Sequence, residues 1–156
     1  MWGLPLGRIQ RYFIWAMRVM GRSDDFAQKP GPPEKFADNI VTYDEAHWQL
    51  NRDLTDAAPE LSLGPVTWGW LSASLDIVDR ITKPEILRSI EIPVFVASAA
   101  DEKLIDNRSH THVASHLPKC EHITVENAMH EILMEKPESR ATFWARFDRL
   151  LERAEI

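Results

Sequence analysis

The chain has 156 residues, 44% of them hydrophobic and 27% charged, with a formal net charge of -6 and one cysteine; this bounds it to one compact domain, or part of a larger one, with a modest core. An acidic balance with no Lys/Arg run interleaved with aromatics lacks the attraction that carries nucleic-acid binding, so nucleic acid is excluded as an expected partner. Cys120 alone makes neither an internal disulfide nor a cysteine metal knuckle, which suits a reducing compartment, with the cytoplasm as the expectation.

The opening stretch "MWGLPLGRIQRYFIWAMRVMGR" is interrupted by Arg8, Arg11 and Arg18 and lacks a small-residue cleavage site. It is too short an apolar run to span a bilayer, so no integral membrane segment is expected. Ile9, Tyr12, Phe13, Ala16, Met17 and Met20 recur at i, i+3, i+4 spacing, which predicts an amphipathic helix ending at Gly21. "QKPGPPEK" then predicts a loop, because its prolines remove backbone donors. A second helix is expected near Tyr43 to Leu54. A third begins with Pro65 in its first turn and continues through Trp68, Leu71, Leu75 and Val78, and Pro84 repeats the device before the short "EILRSI".

The period then changes. "IPVFVASAA", Ile92 to Ala100, is a short Val-rich run and reads as a fully buried strand. A helix near Arg108 to Leu117, a second strand in "KCEHITVEN" and a final helix in "PESRATFWARFDRLLERA" follow, the last with Phe143, Trp144, Phe147, Leu150 and Leu151 on one face. Strand, helix, strand, helix implies two neighbouring parallel strands of an α/β sheet. Two strands alone make a poor sheet, so it is expected to be incomplete.

Chemistry is expected at the carboxyl ends of those strands. The first ends in Asp101-Glu102 and the second, through Asn127-Ala128-Met129, in His130. A carboxylate that accepts an imidazole N–H fixes the tautomer and leaves the other ring nitrogen free to take a proton from a nucleophile, which is two-thirds of a hydrolase triad. Acid before histidine is also the chain order of α/β-hydrolases, whose nucleophile comes earlier on a G-x-S-x-G elbow.

The blocks "SAADEKLIDN", "NAMHEILMEK" and "FWARFDRLL", with "MWGLPL" and "GPVTWGWL", resemble the second half of the bacterial lysophospholipase and monoacylglycerol lipase group of α/β-hydrolases, also called serine aminopeptidase-like hydrolases. The resemblance covers essentially the whole chain. It implies an α/β fold class, the C-terminal portion of an α/β-hydrolase, with a helical cap over 1–90 and the last two parallel strands and their helices over 91–156. It implies His130 as general base and Glu102 as the acid, with Asp101 as runner-up; an aspartate is commoner than a glutamate at that position. It implies a small amphiphilic ester substrate, such as a lysophospholipid or monoacylglycerol, and no cofactor. In its cap, Trp2, Trp15, Trp68 and Trp70 would line an acyl-chain pocket, where large apolar side chains suit a tail.

The sequence also departs from that pattern, because it contains no G-x-S-x-G. Ser23 in "GRSDD" lacks the second glycine and follows a cap helix, so it is not read as a nucleophile. The expected function is therefore the C-terminal part of a serine ester hydrolase, inactive alone. The alternative is a non-catalytic binding module, whose exposed sheet edge predicts self-association.

Blander readings stand beside several residues. Asp101-Glu102 would otherwise be a solvated strand end, and the tryptophans simple cap core. Glu131 and Glu135 are assigned no chemistry and are expected to favour the macrodipole of the next helix. His110, His112 and His116 suggest zinc, but no H-E-x-x-H or third ligand accompanies them, so no metal is expected.

Overall fold

The computed structural model describes residues 7–29, 31 and 35–153. Trp2, the "MWGLPL" segment and Pro30, Pro32 and Pro33 of the predicted loop lie outside the described residues.

The first half is helical, as its spacing predicts. Helix α1, Arg8–Val19, ends where Gly21 takes a φ of 74°. There Arg22 N–H reaches Met17 O at 3.0 Å and Gly21 N–H reaches Arg18 O at 3.0 Å, a closure that needs the left-handed residue in between. Helix α2, Glu45–Ala57, is started by Asp44, whose Oδ1 accepts the N–H groups of Ala46 and His47. Helix α3 spans Trp68–Ile81 and packs on α1 through Ile14, Met17 and Leu71, all buried, with Phe13 edge-on to Trp68 at 5.3 Å. Arg11 and Arg18 pair with Asp79 and Asp76 across the same contact.

The start of α3 corrects one expectation. Pro65 lies ahead of the helix, which Thr67 begins by accepting Trp70 N–H on its hydroxyl at 3.2 Å. Residues before it stay extended because Ala27 N–H bonds Val66 O at 2.9 Å and Phe26 bridges Thr67. Pro84 does occupy the first turn of its helix, α4, Pro84–Arg88.

Strands β1, Val94–Ala99, and β2, Cys120–Val125, pair in parallel from Val94 opposite Cys120 to Ala99 opposite Val125. Helix α5, Arg108–His116, crosses between them and α6, Pro137–Arg153, closes the unit. Side chains alternate along a strand. Thus Phe95 meets Phe143 of α6 at 5.3 Å on one face, while Ser98 meets His110 of α5 on the other. Ala99, Val125 and Ala128 form the buried centre, with Ala97, Ile123 and Ile132 against it.

The expectation of a fully buried first strand needs correction. Val94 to Ala97 are only half-buried, and burial is complete at Ser98 and Ala99 alone. The sheet of the described residues has two strands, so β1 has a partner on one edge only. No helix among the described residues is long and apolar enough to cross a membrane.

Candidate active site

Asn127 adopts a φ of 51° at the end of β2, a conformation that asparagine tolerates better than most residues. The chain then reverses toward β1, where Ala128 O accepts Asp101 N–H at 3.0 Å and Val125 O accepts Ala100 N–H at 3.0 Å. The two strand ends are thereby fastened together, and the residues just beyond them face each other.

His130 Nδ1 lies 2.8 Å from Glu102 Oε2. The other carboxyl oxygen, Oε1, accepts Leu104 N–H at 2.7 Å and Ile105 N–H at 3.3 Å. The Glu102 side chain is 4% exposed and that of His130 29%, so the acid is shielded while the imidazole keeps an accessible edge. Burial pushes the Glu102 carboxyl up, but the Leu104 N–H, the His130 ring and the Ile105 N–H outweigh it, and the group is held below its ordinary value. An ionised acceptor on Nδ1 places the proton there and leaves Nε2 as a base, the arrangement that proton abstraction from a hydroxyl requires.

Asp101 points elsewhere. Its Oδ2 accepts the Tyr43 hydroxyl proton at 3.0 Å, and this bond, together with burial and the neighbouring acids, raises the Tyr43 phenol above its usual value. Both line a cavity of about 430 Å³ with Asn127, Lys136, Glu138 and Ser139. Adjacent carboxylates in the sequence are thus split between two partners.

The tryptophans sit apart from this corner. Trp15 lines a recess of about 110 Å³ with Arg11, Ile14, Arg18, Ser72, Leu75 and Asp76, Trp68 stands against Phe13, and Trp70 is exposed in the first turn of α3. All three belong to the α1–α3 pair. Ser23 serves that pair as well, since its carbonyl accepts Gly69 N–H at 2.8 Å and a Cβ on Gly69 would stand 3.0 Å from that oxygen.

The histidines of α5 find separate partners. His112 Nε2 lies 3.0 Å from Thr82 O and His116 Nδ1 2.8 Å from His112 O. His110 Nδ1 and His122 Nε2 converge on the buried Ser98 hydroxyl at 2.9 and 2.8 Å. One hydroxyl proton can serve only one of these nitrogens, so the other ring must donate. Burial, then the His122 charge, hold His110 below the ordinary imidazole value, against an opposing pull from Glu102.

Glu135 also needs correction. The segment after His130 is not helical at once: Ile132–Met134 form a single 3-10 turn and α6 begins at Pro137. Glu135 is completely buried, not at a solvated helix start, and its carboxyl accepts Met129 N–H at 2.7 Å and Tyr43 N–H at 2.9 Å. The one signal in the sequence is a glutamate closing the apolar "ILM" run, and it does not name the partners, which include a backbone group 92 positions away.

Residues 5–137 match the family described as "Serine aminopeptidase, S33". A probable lysophospholipase L2 of Haemophilus influenzae is 25% identical over 129 residues, 81% of this chain and 41% of that protein. Among solved structures, a soluble variant of monoglyceride lipase from Saccharomyces cerevisiae, in complex with a substrate analog, superposes with a TM-score of 0.61 at 12% identity. That match covers 94% of this chain and 50% of the lipase, so the chain spans between two-fifths and half the length of the relatives it matches. The two-stranded unit and its helices are therefore part of an α/β-hydrolase fold.

Proposed function

The chain belongs to the serine aminopeptidase S33 family of α/β-hydrolases, and from that premise we propose that it supplies the acid and the base of a serine ester hydrolase of lysophospholipase or monoacylglycerol lipase type. The observation that carries this is the 2.8 Å contact between His130 Nδ1 and a shielded Glu102 carboxyl at the joined strand ends. Glu102 is the orienting acid. Asp101, engaged by Tyr43, anchors its loop instead. The nucleophile is a serine of a G-x-S-x-G elbow, which this sequence does not contain.

In that assembly His130 Nε2 takes the serine proton as the hydroxyl oxygen attacks the ester carbonyl, then returns it to the leaving alcohol. Water enters the acyl-enzyme by the same route and releases the acid. Residues 1–90 act as the cap and 91–156 as the core portion. The exposed tryptophans of α1 and α3 offer apolar surface to an acyl chain, and the relative's lysophospholipase name and the lipase neighbour support an amphiphilic ester as substrate.

Two measurements test this. The native product in its source cells should have an intact mass above the 18.0 kDa of this chain, with a G-x-S-x-G in the added part. In that product His130→Ala and Glu102→Gln should each lower short-chain ester hydrolysis by roughly 10⁴-fold, the scale of losing a triad member, and Asp101→Asn by far less. Hydrolysis by the 156-residue chain alone that is lost with His130→Ala would overturn the placement of the nucleophile elsewhere.

A non-catalytic role has one observation in its favour, the outer edge of β1, which has no strand partner among the described residues. It predicts concentration-dependent self-association of the chain, read by sedimentation.

A further inference from the structure

We propose that Glu135 is the positioning residue for His130, and that it acts by fastening the histidine loop to the Asn39–Asp44 segment. The proposal rests on reading His130 and Glu102 as base and acid, and it concerns how that pair is held in register.

A carboxyl group withdrawn completely from water is costly unless its oxygens are occupied. Those of Glu135 are: Oε1 accepts Met129 N–H at 2.7 Å and Tyr43 N–H at 3.1 Å, and Oε2 accepts the same Tyr43 N–H at 2.9 Å. Among the described residues it pairs with no cation. Backbone amides are thus its partners, and they belong to two segments far apart in the chain. Met129 immediately precedes His130. On the other side Glu131 N–H is held by Val41 O at 2.8 Å, so the histidine is bracketed by two fixed amides.

The second segment is itself rigidly made. Asn39 Oδ1 accepts Val41 and Thr42 N–H, its amide donates to Thr42 O, and both residues are buried. Thr42 then donates its hydroxyl to Met134 O at 2.8 Å, one residue before Glu135. Tyr43, whose amide meets Glu135, sends its hydroxyl to Asp101, the neighbour of Glu102. A single brace therefore touches the histidine loop at Glu131, Met134 and Glu135 and the acid loop at Asp101. An apolar residue at 135 would fill the space at lower desolvation cost but would strand the Met129 and Tyr43 N–H groups, the first of which sets where His130 begins.

The distinguishing substitution is Glu135→Gln. Its amide oxygen in the place of Oε1 keeps the Met129 N–H bond, with the NH2 group then facing Tyr43 N–H, whereas Glu135→Leu keeps the size and neither bond. The readout is the His130 Nδ1 proton shared with Glu102, followed by proton NMR in the 156-residue chain, where exchange with water reports how firmly the ring is held. Glu135→Leu should speed that exchange about ten-fold or more, and Glu135→Gln, which keeps the Met129 bond, clearly less. Leu87→Ala, which opens a buried site in α4, should destabilise the chain without moving the signal. An unchanged signal in Glu135→Leu, or equal acceleration in Leu87→Ala, overturns the proposal.

Should Glu135→Leu fail to fold, the unsubstituted chain still decides. The Met129 and Tyr43 amides should exchange in step with the His130 proton, and a Met129 amide exchanging freely while the ring proton persists would overturn it. Absence of the ring proton altogether would instead remove the acid–base pair, and this proposal with it.

Discussion

At the strand ends, Val125 and Ala128 are fully buried, and Glu102, Glu135, Thr42 and Ser139 all have hydrogen-bond partners. The α1–α3 pair has its own small core, yet Ile9, Tyr12, Val19, Met20 and Ile77 remain more than half exposed there. The corner is fixed by polar contacts, many of them to backbone groups, and the helix pair by apolar packing and surface charges. On the proposed reading, the difference separates two requirements: a proton-transfer pair that must not drift, and an apolar surface that meets something outside the pair itself. The size of substitution effects should follow the same division.

The largest contrast in stability is between Val125→Ala and Ile9→Ala. The first empties a completely buried site and should cost about 2 kcal/mol by urea denaturation. The second trims a side chain 86% exposed and should cost less than about 0.5 kcal/mol. An equal loss at Ile9 would break the comparison, because it would mean that the α1 face is covered in solution.

How much of this was legible in the sequence differs between the same two regions. Helical spacing placed α1 and a short Val-rich run placed β1, because both are local signals. The family blocks pointed to His130 and to one of two adjacent carboxylates. Between those carboxylates the resemblance selects Glu102 with Asp101 as runner-up, but nothing in the sequence marks Tyr43, 58 positions away, as the partner of Asp101. The brace was not legible for the same reason: Asn39, Thr42 and Glu135 act through backbone groups, and a backbone partner leaves no mark in the residue pattern. The start of α3 at Thr67 was obscured by Pro65, a stronger-looking signal overridden by the side-chain cap.

A pH titration sharpens the contrast, because the shifted histidine and acid lie at the corner. His110 and Glu102 both bind protons less readily in the folded chain than in the unfolded one. Between the depressed folded value and the ordinary one, the unfolded state therefore holds more protons, and stability falls as pH falls. The loss should begin near the ordinary imidazole value of about 6.5 through His110, and resume near the carboxylate value of about 4.3 through Glu102. Asp44 and Asp106, held low chiefly by hydrogen bonds from His47 and Arg108, add to the second phase. His110→Asn should flatten the first phase and Glu102→Gln weaken the second, both read as urea midpoints against pH. A first phase unaffected by His110→Asn would assign it to another group.

The smallest effect belongs to the charges that join α1 to α3. Arg18 and Asp76 meet at 3.3 Å with side chains 49% and 69% exposed, so water screens the pair and long side chains are ordered for little return. Asp76→Asn should cost less than about 0.5 kcal/mol at low salt and nothing measurable at about 1 M. This weak term is informative because of what surrounds it. Trp15 lines the same recess as Arg18 and Asp76 and would lose water if a further element covered the α1–α3 face. A pair that kept its full strength at high salt would be desolvated, and the covering surface would then be present in solution, supplied by another copy or by more of the protein. A pair that fades as expected leaves the apolar face of α1 and α3 open to solvent.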